Sequence, residues 1–116
     1  MSSEGRRFSI PDIVAAQRAR DDDWDEFVRT ELLSAGVYRL EVGAADEQTP
    51  HTEDEIYYVI AGKAKLWVEG EALDAGTGDA LFVPANADHR FIDIEEELEL
   101  LVFFAPPEYS QDQPKP

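Results

Sequence analysis

From Val37 to Phe104 the chain is a succession of short strand-like segments separated by glycine and proline. That rhythm limits its fold more than any other feature. Val37, Tyr38, Leu40 and Val42 read as a strand ending at Gly43, and Ile56 to Ile60 is β-branched and aromatic. Gly62-Lys63 is predicted to be a tight turn. Ala64, Leu66 and Val68 then alternate with Lys63, Lys65, Trp67 and Glu69, the period of a half-buried strand. Glycines at 70, 76 and 78 punctuate the following turns, and Leu81-Phe82-Val83 stops at Pro84, as a strand end or an edge does. His89, Phe91 and Asp93 alternate with Arg90, Ile92 and Ile94. Leu98 to Phe104 is the most apolar strand, closed by Pro106-Pro107. Many short strands at regular spacing predict an all-β sandwich or small barrel.

What precedes the strands reads differently. Ser9, Pro11 and Asp12 form a helix start, with Ser9 as cap and Ile13, Val14 and Ala16 continuing to about Arg20. Asp21, Asp22, Asp23 and Asp25 form a solvated break, since a calcium loop needs wider, glycine-bearing spacing. Trp24 is expected to tether the arm to the body. Glu26 to Leu33 is ambiguous between helix and strand and ends at Ser34-Ala35-Gly36. The expected organisation is an arm over residues 1–25, a β-barrel domain over 26–106 and a flexible tail over 107–116.

Charge and composition remove several classes of function. The chain has 10 basic and 26 acidic residues among 116, a formal net charge of −16. Such a field repels nucleic acid and anionic membrane, so neither is an expected partner. Apolar residues make up 43% of the chain, enough for one core. With no cysteine, neither a disulfide frame nor a thiolate site can form, and imidazole, carboxylate and hydroxyl groups must carry any chemistry. No apolar run suits a membrane span, and Met1 to Arg7 lacks a signal-like core, so a soluble cytoplasmic protein is expected.

Only two histidines occur, His51 and His89, so the position of each is informative. Residues two apart on a strand share a face, which would align His51, Glu53 and Glu55 with Tyr57 and Val59. Thr49, Pro50 and the acids at 53–55 also resemble a helix start. The continuation Ile-Tyr-Tyr-Val-Ile is a poor helix sequence and a good strand, and decides for the strand. A single histidine on a strand is more often structural than ligating. Two histidines with a carboxylate, in contrast, are donors suited to Fe(II), Mn, Ni, Cu or Zn.

Two longer patterns carry a family resemblance. Gly43, five residues, Thr49, a gap, His51, three residues, Glu55, six residues and Gly62 resemble the first motif of the cupin superfamily. Gly78, five residues, Pro84, a gap, Asn86, two residues, His89, three residues and Asp93 resemble the second. The resemblance implies a double-stranded β-helix, a jelly-roll barrel, with His51, Glu55 and His89 holding a divalent transition metal. Thr49 stands where the family has its first histidine, so Thr49, Gln48 or Glu53 is left to complete the sphere. Asn86 replaces a glycine, a change that its tolerance of the left-handed conformation permits. Asp93 replaces the final asparagine.

The implied function is that of a small metal-dependent enzyme, of dioxygenase, isomerase, decarboxylase or cyclase type, acting on a small organic molecule. Glu55 is then both ligand and catalytic group, Glu53 either a base or, in preference, a solvated carboxylate beside the site, and Tyr57 or Phe91 a wall of an apolar pocket. A barrel that binds a small ligand without chemistry, or one that has lost its metal, is the alternative. The resemblance and the exposure expected for Trp67 on the lysine-bearing face of its strand together predict a homodimer.

Overall fold

The structure, a computed structural model of the chain, describes residues 4–46 and 50–109. It has one helix, α1 (Ile10–Ala19), and six strands, β1 (Trp24–Arg29), β2 (Ser34–Leu40), β3 (Asp54–Val68), β4 (Glu71–Gly76), β5 (Ala80–Val83) and β6 (His89–Ala105). All pairings are antiparallel, in the order β1-β2-β6-β3-β4, with β5 also on β3.

The helix starts where Ser9 and Pro11 place it, with the Ser9 hydroxyl accepting from the Asp12 amide. Its inner side carries Val14 and Gln17, both buried, and the Gln17 amide donates to the Val37 carbonyl at 2.9 Å. Arg18 pairs with Glu97 and Glu99 on β6, and Arg39 adds a bond to Glu97 at 3.0 Å. The ambiguous stretch from Glu26 is a strand as far as Arg29. Thr30 then turns the chain, its hydroxyl accepting from the Leu32 and Leu33 amides. Because β1 already begins at Trp24, the expected arm boundary at residue 25 falls inside a strand.

Strands β3 and β6 build the barrel, and they correct the sequence reading in the same way. Gly62-Lys63 is no turn: β3 runs unbroken through it, and the pairing with β6 shifts register between Val59 and Lys65. Gly62 adopts φ +117°, and a Cβ there would run into the Glu97 carbonyl and the Leu98 backbone. Glycine at this position permits a close crossing of two strands. On β6, Asp93 takes φ +51°, so one strand joins what reads as two. Below it His89 and Phe91 are buried; above it burial passes to Ile94, Leu98, Leu100, Val102 and Phe104. An extra residue in a ladder flips the facing of everything beyond it.

These bends let each long strand serve two stretches of sheet. The first half of β3 pairs with β5 and the end of β6, and its second half pairs with β4 and the beginning of β6. A single core gathers side chains from both halves, among them Tyr57, Val59, Leu66, Phe91, Leu98 and Leu100. The tight turn belongs at Glu69-Gly70, where both residues have positive φ between paired Val68 and Glu71. Trp67 is half-buried under the Arg90 guanidinium, 4.4 Å from the ring centroid, so it is not the free aromatic that the lysine-bearing face suggested. Exposed apolar residues instead cluster on adjacent strands at Ile56, Tyr58, Phe82 and Phe103, where Ile56 faces both Phe82 and Phe103.

Candidate metal centre

The strand parity expected of β3 is observed. His51, Glu53, Glu55, Tyr57 and Val59 are buried, while Ile56 and Tyr58 face outward. His51 precedes the strand, and its carbonyl accepts the Asn86 amide at 2.6 Å. Asn86 sits at φ +68°, the left-handed conformation that the substitution for glycine requires. That bond sets the two motif segments side by side, and β6 opens three residues later with His89. Position 49 and Gln48, both considered as further ligands, lie outside the described residues.

His51, Glu55 and His89 each offer one donor atom, and the three atoms lie within 4.8 Å of one another. Glu55 Oε1 and His89 Nε2 are 3.2 Å apart. Donors about 2.0–2.2 Å from a shared ion stand roughly 3 Å apart when they subtend a right angle, so the spacing suits a first-row metal. Polar satisfaction points the same way. Both Glu55 carboxylate oxygens and His89 Nε2 are buried without a hydrogen-bond partner among the described residues. Buried polar atoms left without partners are costly, and a divalent cation would satisfy all of these at once.

The far side of each ring is also arranged. His89 Nδ1 lies 2.9 Å from the Ala87 carbonyl, which selects the tautomer with Nε2 free for the ion. Burial by itself would push the His89 imidazole down, but the Glu55 carboxylate and the Ala87 carbonyl outweigh it and hold it above the ordinary histidine value. His51 is walled by the Phe104 ring, with centroids 4.9 Å apart. Tyr57 and Phe91 meet edge to face at 4.9 Å, and Tyr57 lies 6.3 Å from His89. Both are buried, as their strand positions predicted.

The profile of the Cupin domain family matches residues 36–104. The chain is a cupin. It is 37% identical over 103 residues to an uncharacterized protein of Streptomyces coelicolor, a match covering 89% of this chain and 98% of the relative. A second relative, the pectin degradation protein KdgF of Dickeya dadantii, is 38% identical over 61 residues, or 50% of this chain and 56% of that one. Among solved structures, KdgF from Halomonas sp. superposes with a TM-score of 0.69 at 23% identity, covering 89% of this chain and 94% of the other. At that identity the likeness speaks for the fold, a jelly-roll barrel, and the donor set makes this a metal-binding cupin.

Two carboxylates of the cupin pocket depart from the sequence reading. Glu53 was expected to be solvated; it is 1% exposed. Its oxygens accept from the Thr52 hydroxyl and, at 3.1 Å, from the Tyr109 amide, so it holds a backbone segment. That segment is the other surprise. Residues 107–109 were assigned to a loose tail, yet Pro107 and Glu108 are buried. The Glu108 amide donates to Ser34 Oγ at 2.9 Å, and Arg29 donates to the Glu108 carbonyl at 2.8 Å. The Tyr109 ring then lies over His51, 5.9 Å between centroids. The Glu108 carboxyl is pushed up to about 7, by burial first and then by the charges of Glu55, Glu26 and Glu53, against an opposing bond from Tyr109. Sequence reasoning missed Glu108 because nothing local separates it from the other acids of an acidic chain.

A cleft of about 630 Å³ between Asp21–Asp23, Tyr38–Glu41 and Ala44–Ala45 lies elsewhere on the surface, and none of the three donor residues lines it.

Proposed function

We propose that this cupin is a metal-dependent enzyme acting on a small organic molecule, with His51, Glu55 and His89 as the protein ligands. One observation carries the reading: three buried donors converge within 4.8 Å, and among the described residues Glu55 Oε1 and His89 Nε2 face each other at 3.2 Å with no hydrogen bond assigned to either. A barrel retained only as a scaffold would bear the cost of that arrangement and gain nothing from it.

Two histidines and one carboxylate leave coordination positions open, the donor pattern used where a metal must accept both protein and substrate. A metal held by His51, Glu55 and His89 would supply Lewis acidity, or oxygen activation if it were Fe(II). The protein supplies the rest. The Ala87 carbonyl orients His89, the Tyr57 and Phe91 rings keep one side of the pocket apolar, and Phe104 backs His51. Glu53 holds the 107–109 segment in place, and we assign it anchoring in preference to proton transfer. The carboxylates of Glu53 and Glu55 already offset the charge of a divalent ion, and Glu108 adds no positive charge to the pocket. This favours a substrate that chelates through hydroxyl or keto oxygens over one bringing several negative charges of its own. Similarity over 61 residues to the pectin degradation protein KdgF of Dickeya dadantii makes carbohydrate-derived compounds the first class to try.

The test is to load metal-stripped protein with Fe(II), Mn, Ni or Zn and screen sugars, enols, hydroxy acids and diketones, following substrate loss and oxygen uptake together. Turnover with one metal, abolished in Glu55→Gln, is the expected result. Tight ligand binding that survives Glu55→Gln, with no turnover for any metal, refutes the enzyme and leaves a ligand-binding barrel.

A further inference from the structure

Glu108 lies outside both cupin motifs and outside the matched residues 36–104, but it reaches the centre. Its Oε2 stands 3.8 Å from His51 Nδ1, and both side chains are almost fully buried. Three backbone contacts fix the segment that carries it: the Glu108 amide to Ser34 Oγ, Arg29 to the Glu108 carbonyl, and the Tyr109 amide to Glu53. Those partners come from β1, β2 and the residues leading into β3. The carboxylate is therefore placed by the fold and not left to a wandering chain end.

The two ligand rings present parallel problems. An imidazole that binds a metal through one nitrogen carries a proton on the other, and that N–H needs an acceptor. For His89 the acceptor is the Ala87 carbonyl at Nδ1. For His51, the Glu108 carboxylate stands 3.8 Å from Nδ1. Glu108 does not belong to the set of donors lying within 4.8 Å of one another, so its route to the ion runs through His51. At 3.8 Å the pair is longer than a hydrogen bond, and ligation of the opposite nitrogen is what would fix a proton on Nδ1 and draw the two together.

We infer that Glu108 is a positioning residue of the metal centre: it accepts the Nδ1 proton of His51 and so commits Nε2 of that ring to the ion. The C-terminal segment thereby supplies an outer support for the histidine next to position 49, where the family's first histidine is replaced by threonine. This inference rests on the metal-centre reading, and its experiment separates the two.

The full chain is labelled with 15N-histidine, which gives only two ring systems to resolve. Zinc affinity is measured by competition with a chromogenic chelator, first on the wild type. Two-bond proton–nitrogen spectra of the zinc-loaded protein then report which ring nitrogen is metallated and which is protonated. Both rings are expected to show protonated Nδ1 and metal-bound Nε2. Glu108→Ala should weaken zinc about tenfold or more and lose the His51 Nδ1–H signal to exchange while the His89 signal persists. Glu108→Gln, whose amide oxygen still accepts, should recover most of the affinity and the signal. His51 metallated through Nδ1 overturns the inference. So does a Glu108→Ala protein that stays within about twofold of the wild type and keeps the His51 signal. A wild type that takes up no zinc or other first-row metal refutes the metal centre itself, and the assignment of Glu108 with it.

Discussion

Replacing Glu55 by methionine should reverse the stability order of two proteins according to whether metal is present. In the metal-free chain, Glu55 is 2% exposed and neither of its oxygens has a hydrogen-bond partner among the described residues. An unsatisfied buried polar group costs about 1–3 kcal/mol, and more when charged. Methionine is similar in length and brings no such penalty, and its flexible thioether packs readily beside Val83 and Phe104, the cross-strand neighbours of position 55. Removing Glu55 also strips His89 Nε2 of the carboxylate 3.2 Å away, which returns part of the gain. An imidazole left without that carboxylate sheds its proton and stays neutral, which spares the variant the larger cost of a stranded buried charge. The balance is a metal-free variant about 1–2 kcal/mol more stable than the wild type. At roughly 2.1 cal/mol/K of unfolding entropy per residue, a chain of this length melts about 4 °C higher per kcal/mol, so the rise is about 4–8 °C. Metal then acts only on the wild type. An ion at about a hundredfold excess over its dissociation constant adds roughly 2.7 kcal/mol, or about 11 °C, and carries the wild type past the variant. The assay is thermal unfolding of both proteins, with chelator and with metal. A variant that melts below the wild type in chelator shows that Glu55 serves the metal-free fold. A variant that keeps the metal-induced shift shows that Glu55 is not a ligand.

Other expectations follow from the barrel and its surface. Gly62→Ala should cost at least about 2 kcal/mol, from positive-φ strain and from overpacking against Glu97 and Leu98; chemical denaturation checks this, and a loss below about 0.5 kcal/mol contradicts the close crossing. The exposed cluster of Ile56, Tyr58, Phe82 and Phe103 should form a homodimer face, so light scattering should give a dimer mass that Phe82→Glu reduces to a monomer; a monomeric wild type at tens of micromolar opposes it. For Glu97, burial would push the carboxyl up, but bonds from Arg39 and Arg18 outweigh it and hold it below the ordinary value. A depressed carboxyl adds stability above its unfolded value near 4.5 and loses it as pH falls through the folded one. Glu97→Gln should therefore cost about 1 kcal/mol at neutral pH, and the gap should close in acid; a gap that persists at the lowest pH rules out this pairing as its source.

What the sequence made legible, and what it hid, follows from the range of the contacts involved. The convergence of His51, Glu55 and His89 was readable because each lies in a spaced motif and because strand parity is a local property: position 55 follows 51 on the same face whatever the barrel does. Gly62 was misread because a glycine after an apolar run looks the same whether it ends a strand or lets one pass a neighbour. The difference lies in Glu97, thirty-five residues on. Asp93 hid its bulge for the same reason, since a left-handed aspartate inside a strand has no local signature. The 107–109 segment was still less visible. Proline-rich, acidic composition suggested a free tail, and its anchors Arg29 and Ser34 lie 79 and 74 residues earlier. The burial of Glu53 was half legible: its parity with His51 and Glu55 put it inside, and only habit about acidic residues put it in solvent.

The bond from the Asn86 amide to the His51 carbonyl has a consequence for how such a protein can change over time. It joins the segments that carry His51 and His89 through main-chain atoms, which no substitution other than proline at position 86 removes. The spacing between positions 51 and 89 is therefore inherited separately from the identity of the groups displayed there. A lineage built this way can lose one donor, borrow support from another part of the chain or exchange one metal for another, and each step starts from an intact frame. Threonine at position 49 then marks a site open to revision, on a scaffold that does not have to be rebuilt each time its chemistry is.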